Sequence, residues 1–152
     1  MSTKRNRSKK AGTRRMKHSG TSSLAAFQKE IAVIFLEMLM MVKLFHWKTT
    51  SYATHKATDE LYTKLNANID SFIEILLGKS GSRIDLMSNK NIKLIDLSNQ
   101  EAFKKEVEAF KGYLVSLNDN KAMQTMSNTD LFNIRDTILG DMNQLLYLLT
   151  FK

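Results

Sequence analysis

The residues from Ala53 to Leu77 repeat apolar side chains at the spacing of an α-helix, with polar residues between them. The apolar set is Ala57, Leu61, Leu65, Phe72, Ile73, Leu76 and Leu77. Gly78 follows as the predicted stop signal. The chain contains no proline and only six glycines, and no alternating strand pattern runs for long. The sequence therefore predicts an all-α protein.

Three further helices are predicted on either side of this one. Ser22 or Ser23 can cap a first helix that runs to about Trp47. A third helix is predicted over residues 99–117 and a fourth over residues 128–150. The fourth carries a helical stripe of Leu131, Ile134, Ile138, Leu145 and Leu148. At 152 residues the chain is long enough for one domain with a sizeable core, which indicates a four-helix bundle over residues 21–152.

The stretch IAVIFLEMLMMVKLF, residues 31–45, is apolar almost all round the predicted first helix. A membrane span is the competing interpretation, but these fifteen residues are too few to cross a bilayer and include Glu37 and Lys43. We therefore expect no membrane partner and a helix buried on most sides, in a bundle and then in an oligomer. Its methionines are expected to fill the core rather than to bind metal.

A polar segment, residues 79–100, joins the predicted second and third helices and has room for a short helix of its own. Its first residues complete a Gly-Lys-Ser tripeptide, but Ile73 stands where a phosphate-binding loop needs glycine. Ferritin-like bundles join their second and third helices by one long crossover, and this segment suits that role.

Potential metal ligands are concentrated in the second helix and just before it. They are His46, His55, Asp59, Asp70 and Glu74. The chain has only three histidines, and the third, His18, lies in a basic tail. There is no cysteine, so a metal site here would use imidazole and carboxylate, which suits iron, zinc or manganese.

The spacing of four of these residues suggests two half-sites. At about 100° per residue, His55, Asp59, Asp70 and Glu74 fall on one stripe of the helix, yet Asp59 and Asp70 lie about 16 Å apart along the axis. One metal ion cannot span that gap. The four residues are symmetric about a point between Lys64 and Leu65. A twofold axis there would place His55 against Glu74 of a second copy, and Asp59 against Asp70, completing two equivalent sites.

A simpler interpretation is an ordinary charged surface. Asp59 and Glu60 lie near Lys56 and Lys64, and polar residues four apart on a helix are usually solvated. His46, directly before Trp47, could equally be a hydrogen-bonded histidine at a helix end.

The order of these residues resembles Dps, the miniferritins that protect DNA in starved bacteria. His-Trp, then His-x3-Asp, then eleven residues to Asp-x3-Glu is similar to the family's ferroxidase signature over Phe45 to Leu77, with a weaker likeness from Leu24 to Phe151. The resemblance implies a ferritin-like four-helix bundle. It also implies an iron site in which His46, His55 and Asp59 of one subunit meet Asp70 and Glu74 of its twofold mate, beside Trp47. The assembly that it implies is a hollow oligomer, usually a dodecamer.

The basic tail, residues 1–20, is the second informative feature. Its cations are Lys4, Arg5, Arg7, Lys9, Lys10, Arg14, Arg15 and Lys17. They account for the whole net charge of +8, because the rest of the chain balances its 15 acidic residues. We expect this tail to be disordered in isolation. Its partner could be nucleic acid, the first choice, or a nuclear-import receptor; alternatively it serves solubility alone.

Dps proteins often bind DNA through such tails without sequence preference, and a tail lacking aromatic residues should contact phosphates. The expected function is therefore oxidation of Fe(II) by hydrogen peroxide or oxygen, ferric iron storage, and DNA protection. The alternative is a non-enzymatic DNA-packing or virion structural protein with a vestigial or structural metal site. It stays open because the loop from His46 to His55 is three residues shorter than in typical members. The tail has no hydrophobic core of a signal peptide, so we expect an intracellular protein located with DNA, in a nucleoid or a virion.

Overall fold

Over residues 13–86 and 91–152, the part that this computed structural model describes, the protein is all-helical, as the sequence predicts. Side chains are described from Leu24 onward. The helices are α1 (Thr13–Lys48), α2 (Tyr52–Ser80), α3 (Gln100–Ser116), α4 (Lys121–Gln124) and α5 (Thr129–Leu148), with a 3-10 turn at Leu117–Asp119. None of the described helices is long and apolar enough to cross a membrane.

Helix α2 lies between α1 and α5, and α3 packs against α5. Aromatic rings link the helices across the core. Phe35 of α1 meets Phe72 of α2 edge to face at 5.2 Å between ring centroids. Phe45 of α1 stacks on Phe103 of α3 at 4.2 Å, which joins the two outer helices. Each of these rings is at least 95% buried, so the four long helices share one apolar core.

The apolar stretch of α1 contributes more to this core than any other segment. Its fully buried side chains are Ile31, Phe35, Met38, Met41 and Val42. The two methionines fill the core, as predicted. Leu36 is 41% exposed, and Met40, one turn further along the same face, is only partly buried. One apolar strip of α1 therefore remains accessible in a single chain.

Two predicted helix ends were wrong. Helix α1 begins at Thr13, not at Ser22 or Ser23. The residues before Ser22 include no proline, and arginine, lysine and methionine are good helix formers, so the helix extends toward the N-terminus. The predicted disordered tail therefore overlaps the first turns of α1, and residues 1–12 lie outside the described part of the chain.

Helix α2 continues through the predicted stop at Gly78 and ends at Gly81. Gly81 adopts a left-handed conformation with φ of 66°, and its N–H donates to the carbonyl of Leu77. Glycine adopts that conformation without the steric cost that a Cβ would bring, whereas Gly78 can remain helical. Which of the two glycines ends α2 depends on the backbone conformation that each adopts, and the sequence spacing does not reveal this.

The connection from α2 to α3 runs along α1. The backbone N–H of Lys93 donates to Glu37 at 3.3 Å, and Lys48 forms an ion pair with Asp96. At its start, buried Gln28 of α1 donates to the hydroxyl of Ser80 at 2.7 Å. Residues 81–86 and 91–99 contain no helix.

Helices α3 and α5 match their predictions to within two residues, because Asn99 and Asn128 mark their starts. The buried face of α5 includes two residues that the predicted apolar stripe did not contain, Met142 and the charged Arg135. Its guanidinium donates to the carbonyl of Leu114 at 3.0 Å and to Asn118 at 2.9 Å, which ties α5 to the end of α3. The predicted Ile134 and Leu148 are only partly buried.

Candidate metal centre

The turn between α1 and α2 is three residues long, and it brings two histidines together. Helix α1 ends as the N–H of Thr49 donates to Phe45. Ser51 then caps α2 by accepting from the N–H of Thr54 at 3.3 Å. Because the turn is this tight, the rings of His46 and His55 stack with centroids 3.9 Å apart.

Each histidine forms a hydrogen bond to the backbone of the other. His46 Nδ1 lies 3.0 Å from the carbonyl oxygen of His55, and His55 Nδ1 lies 3.1 Å from the carbonyl oxygen of His46. A carbonyl oxygen can only accept, so each Nδ1 carries the hydrogen. In a neutral ring, Nε2 then holds the free lone pair. Imidazoles that bind metals are typically oriented in this way, with the remote N–H bound to a backbone carbonyl.

Asp59 lies next to this pair, with its Oδ1 3.9 Å from His46 Nε2. The simpler interpretation, an ordinary charged surface, describes Glu60 and Lys64, and Asp59 is exposed beside them. Lys64 pairs with Glu60 at 2.9 Å and with Asp141 at 3.8 Å, and the hydrogen bond to Glu60 raises the pKa of Lys64. Within the described residues, Asp59 pairs with no lysine or arginine.

Asp70 and Glu74 lie one turn apart near the other end of α2, and both are exposed. About 16 Å of helix separates Asp70 from Asp59. The structure therefore brings His46, His55 and Asp59 to one end of α2 and does not bring the other two candidates to them. In residues 24–86 and 91–152, no three such side chains form a group that could hold a metal ion. The donors present, two imidazoles and carboxylates, have the right chemistry for iron, zinc or manganese.

The stripe of α2 that carries the candidate ligands is not covered by the chain's own helices. His55, Asp59, Asp70 and Glu74 are all exposed. Helix α5 packs on a different side of α2, where Lys64 donates to Gln144 at 3.1 Å and Asn68 donates to Asp141 at 3.2 Å.

Exposed apolar side chains continue this uncovered surface onto α1. Trp47, the predicted neighbour of the site, is 68% exposed. The ammonium group of Lys43 lies between α1 and α2, 5.7 Å from the Trp47 ring and 4.4 Å from the Tyr62 ring. Leu36 lies further along α1 and is also exposed.

Sequence reasoning missed a set of buried polar residues behind the histidines. Thr58 is fully buried, and its hydroxyl lies 3.3 Å from His46 Nδ1. Thr54 is 98% buried and donates to Gln100 of α3 at 3.0 Å. In the sequence, Thr54 stands one residue before His55 and Thr58 three residues after it. Threonine is common at such positions, so this spacing alone does not indicate a contact with the histidines.

The side chains of the predicted DNA-binding residues all lie outside the described part of the structure. Lys4, Arg5, Arg7, Lys9 and Lys10 lie outside the described residues. The first turns of α1 contain Arg14, Arg15 and Lys17, whose side chains are outside the described part of the structure.

Residues 46–149 match a family of unknown function, DUF5856. The chain belongs to that family. The match starts at His46 and contains all five candidate ligands, while it leaves out the basic tail and most of α1. No curated protein and no solved structure matches the chain.

Proposed function

We propose that this DUF5856 protein binds Fe(II) at sites shared between two subunits and oxidises it, as Dps proteins do. The observation that carries the proposal is the histidine pair. Both Nδ1 atoms are hydrogen-bonded to backbone carbonyls, which leaves Nε2 as the nitrogen that could bind a metal ion in each neutral ring, and Asp59 lies beside Nε2 of His46. A histidine kept only for packing has no need of a second histidine in the same arrangement.

The second half of each site would come from Asp70 and Glu74 of a twofold mate. Two features support this part of the proposal. These carboxylates cannot reach the histidines of their own chain, and the whole stripe that carries the four residues is open to a partner. An isologous pairing of two α2 helices would bring the histidine end of one chain to the carboxylate end of the other, twice.

The bundle itself is proposed to be ferritin-like. The packing order α1, α2, α5, α3 and the Phe45–Phe103 contact between the first and the last of these support a closed bundle. The segment 81–99 supports a long crossover between the second and third long helices. Assembly into a hollow dodecamer, the usual state of Dps proteins, would give the ferric product a space in which to accumulate.

Fe(II) is the substrate in this scheme. Two Fe(II) ions each give up one electron, and hydrogen peroxide takes both electrons with two protons to become two water molecules; oxygen is the alternative oxidant. Hard carboxylates favour Fe(III) over Fe(II), so Asp59, Asp70 and Glu74 would promote the loss of the electron. The imidazoles of His46 and His55 would fix the ion's position. Zinc and manganese suit the same donors.

The tail is proposed to bind DNA through its phosphates. Eight cations per subunit, repeated over several subunits, would give avid binding without sequence preference. The protein would then act where its DNA is, in a nucleoid or a virion, and would consume both Fe(II) and peroxide there. A DNA-packing or virion structural protein with a vestigial or structural metal site is the alternative.

The experiment that tests the shared site mixes two inactive chains. A His55→Ala/Asp59→Ala chain and an Asp70→Ala/Glu74→Ala chain should each fail to oxidise Fe(II), followed at the ferric absorbance with peroxide or air. After subunit exchange, each mixed dimer should regain one intact site and lose all four ligands in the other. Renewed oxidation therefore supports the proposal.

Two results would contradict it. Mixed subunits that stay inactive after demonstrated exchange would rule out the intersubunit site. Wild-type protein that binds DNA but oxidises no Fe(II) would favour the non-enzymatic alternative.

A further inference from the structure

Thr58 lies against the buried side of His46. It is 0% exposed, and its Oγ1 is 2.8 Å from the carbonyl oxygen of Thr54 and 3.1 Å from that of His55. The same oxygen is 3.3 Å from His46 Nδ1. A hydroxyl has one hydrogen, and both carbonyls can only accept it. The contact with the Thr54 carbonyl is the shortest, and while Oγ1 donates its hydrogen there it presents a lone pair to Nδ1.

His46 Nδ1 therefore meets acceptors on two sides, the His55 carbonyl at 3.0 Å and the Thr58 hydroxyl. An unprotonated Nδ1 would point its lone pair at the His55 carbonyl oxygen, and the Thr58 hydroxyl could donate to it only by giving up its 2.8 Å bond to the Thr54 carbonyl, so this tautomer costs free energy. We propose that Thr58 is a positioning residue that keeps His46 as the Nδ1–H tautomer, with Nε2 free to bind a metal ion. The part about metal rests on the proposed function, whereas the tautomer does not.

A chain of hydrogen bonds holds Thr58 in this role. The Thr54 hydroxyl donates to Gln100 Oε1 at 3.0 Å, and Gln100 Nε2 donates to the carbonyl of Leu149 at 2.8 Å. This chain joins the first turn of α2 to the start of α3 and the end of α5. The Thr54 carbonyl, which accepts from Thr58, is thereby fixed relative to three helices.

A purely structural role for Thr58 is the competing interpretation, because threonine in a helix commonly donates to the carbonyl four residues earlier. Thr137 in α5 provides the matched control. Its hydroxyl donates to the carbonyl of Asn133 at 3.0 Å, but it is exposed and lies on a different helix from the histidines. Thr137→Val removes the same local hydrogen bond without touching His46.

The test is nitrogen-15 NMR of the histidine rings in the metal-free full-length protein. We expect wild-type His46 to be the Nδ1–H tautomer. In Thr58→Val, one of the two acceptors is gone, and we expect the Nε2–H tautomer to become detectable. Thr58→Ser restores the hydroxyl and should restore the wild-type spectrum, while Thr137→Val should not alter it.

A Co(II) titration followed by absorbance provides the second readout. Losing a hydrogen-bond partner of a metal ligand typically lowers metal affinity about 10- to 100-fold. We expect such a loss for Thr58→Val, recovery for Thr58→Ser and no change for Thr137→Val. Thr58→Ala, which removes the hydroxyl with less bulk, replaces Thr58→Val if the valine chain does not fold.

The outcomes separate the two proposals. An Nε2–H tautomer at His46 in the wild type, or a wild-type tautomer ratio in both hydroxyl-free variants, would overturn the role of Thr58. If the tautomer responds as expected but the wild type binds no Co(II), the positioning role stands and the proposed metal site fails.

Discussion

The two ends of α2 carry similar residue types but hold them in different ways. At the start of the helix, His46 in the last turn of α1 is 92% buried and its ring is hydrogen-bonded to the carbonyl of His55, while His55 and Asp59 are exposed. Near the other end, Asp70 and Glu74 are exposed. Beyond them, the helix is fixed to α5 by a surface ion pair of Lys79 with Asp130 at 3.0 Å. The imidazole at the first end is held by contacts within one chain, whereas the carboxylates at the second end face solvent in a single chain.

The comparison indicates how a shared site can be divided between subunits. Directional ligands such as imidazoles need fixed orientations, which a buried turn can provide. Carboxylates have two oxygens and several lone pairs, so they tolerate an approach from outside. In the proposed shared site, the oriented imidazoles of one chain would therefore meet the exposed carboxylates of the other.

If the protein is a monomer, Asp70 and Glu74 at the second end of α2 cannot complete a site in another subunit. We expect light scattering at micromolar concentration to show no stable 17.4 kDa species, since the α2 stripe, Leu36 and Trp47 are all uncovered in one chain. Leu36→Lys with Trp47→Lys should shift the mass toward the monomer, while Val115→Lys on α3 serves as an exposed apolar control. A stable wild-type monomer would contradict the shared site.

Deleting residues 1–20 leaves both ends of α2 untouched and should remove DNA binding. Each tail that neutralises about five to eight phosphates makes affinity fall by orders of magnitude between low and moderate salt. We expect the truncated chain to lose binding in a gel-shift assay while its mass and Fe(II) oxidation remain, because no candidate ligand lies in the tail. Helical content should fall only by the first turns of α1. Strong DNA binding by the truncated chain would assign that role to the bundle instead.

The two ends should also differ in what they contribute to folding. His46→Ala removes a buried ring together with its hydrogen bond to the His55 carbonyl. We expect this to lower the free energy of unfolding by about 1–3 kcal/mol. Glu74→Ala changes an exposed side chain and should stay within about 0.5 kcal/mol. Urea denaturation of metal-free protein measures both. Equal losses of unfolding free energy in the two variants would mean that Glu74 makes stabilising contacts and is not a freely exposed side chain.

The smallest effect is expected at the ion pair that follows the second end. The hydrogen bond from Lys79 lowers the pKa of Asp130 below its ordinary value of 3.8. The pKa of Asp130 is lower in the folded protein than in the unfolded one. The ion pair therefore stabilises the fold at pH values above the unfolded-state pKa, and this stabilisation is lost as the pH falls through the folded-state pKa. Lys79→Met should therefore lower the thermal midpoint slightly at pH 7, and this difference from wild type should shrink below about pH 4. A difference that grew in acid would have the wrong sign for this pair.

Local signals in the sequence predicted most of the helices. The apolar period places Leu61, Leu65 and Phe72 in the core, and Asn99 and Asn128 precede the observed helix starts. These features depend on neighbours three or four residues away, so a single sequence can reveal them.

The parts that could not be predicted depend on contacts between distant segments. Arg135 is buried because α3 offers the carbonyl of Leu114, and Thr54 because α3 offers Gln100. The orientation of the histidine rings depends on backbone carbonyls, which every residue has and no sequence pattern identifies. The candidate residues could therefore be named from the sequence, whereas the ring orientations of His46 and His55 and the buried threonines beside them could not.

The tight turn after α1 has a consequence for how the protein folds. Each histidine is bound to a carbonyl only nine residues away, whereas the Thr54–Gln100 bond closes a loop of 46 residues. Short loops close with the smallest loss of chain entropy, and local contacts generally form fast. The chain also contains no proline, so no slow prolyl isomerisation delays it. We expect the histidine pair to form with the α1–α2 hairpin, before α3 and α5 dock, so a nascent chain would carry the rigid half of its site early.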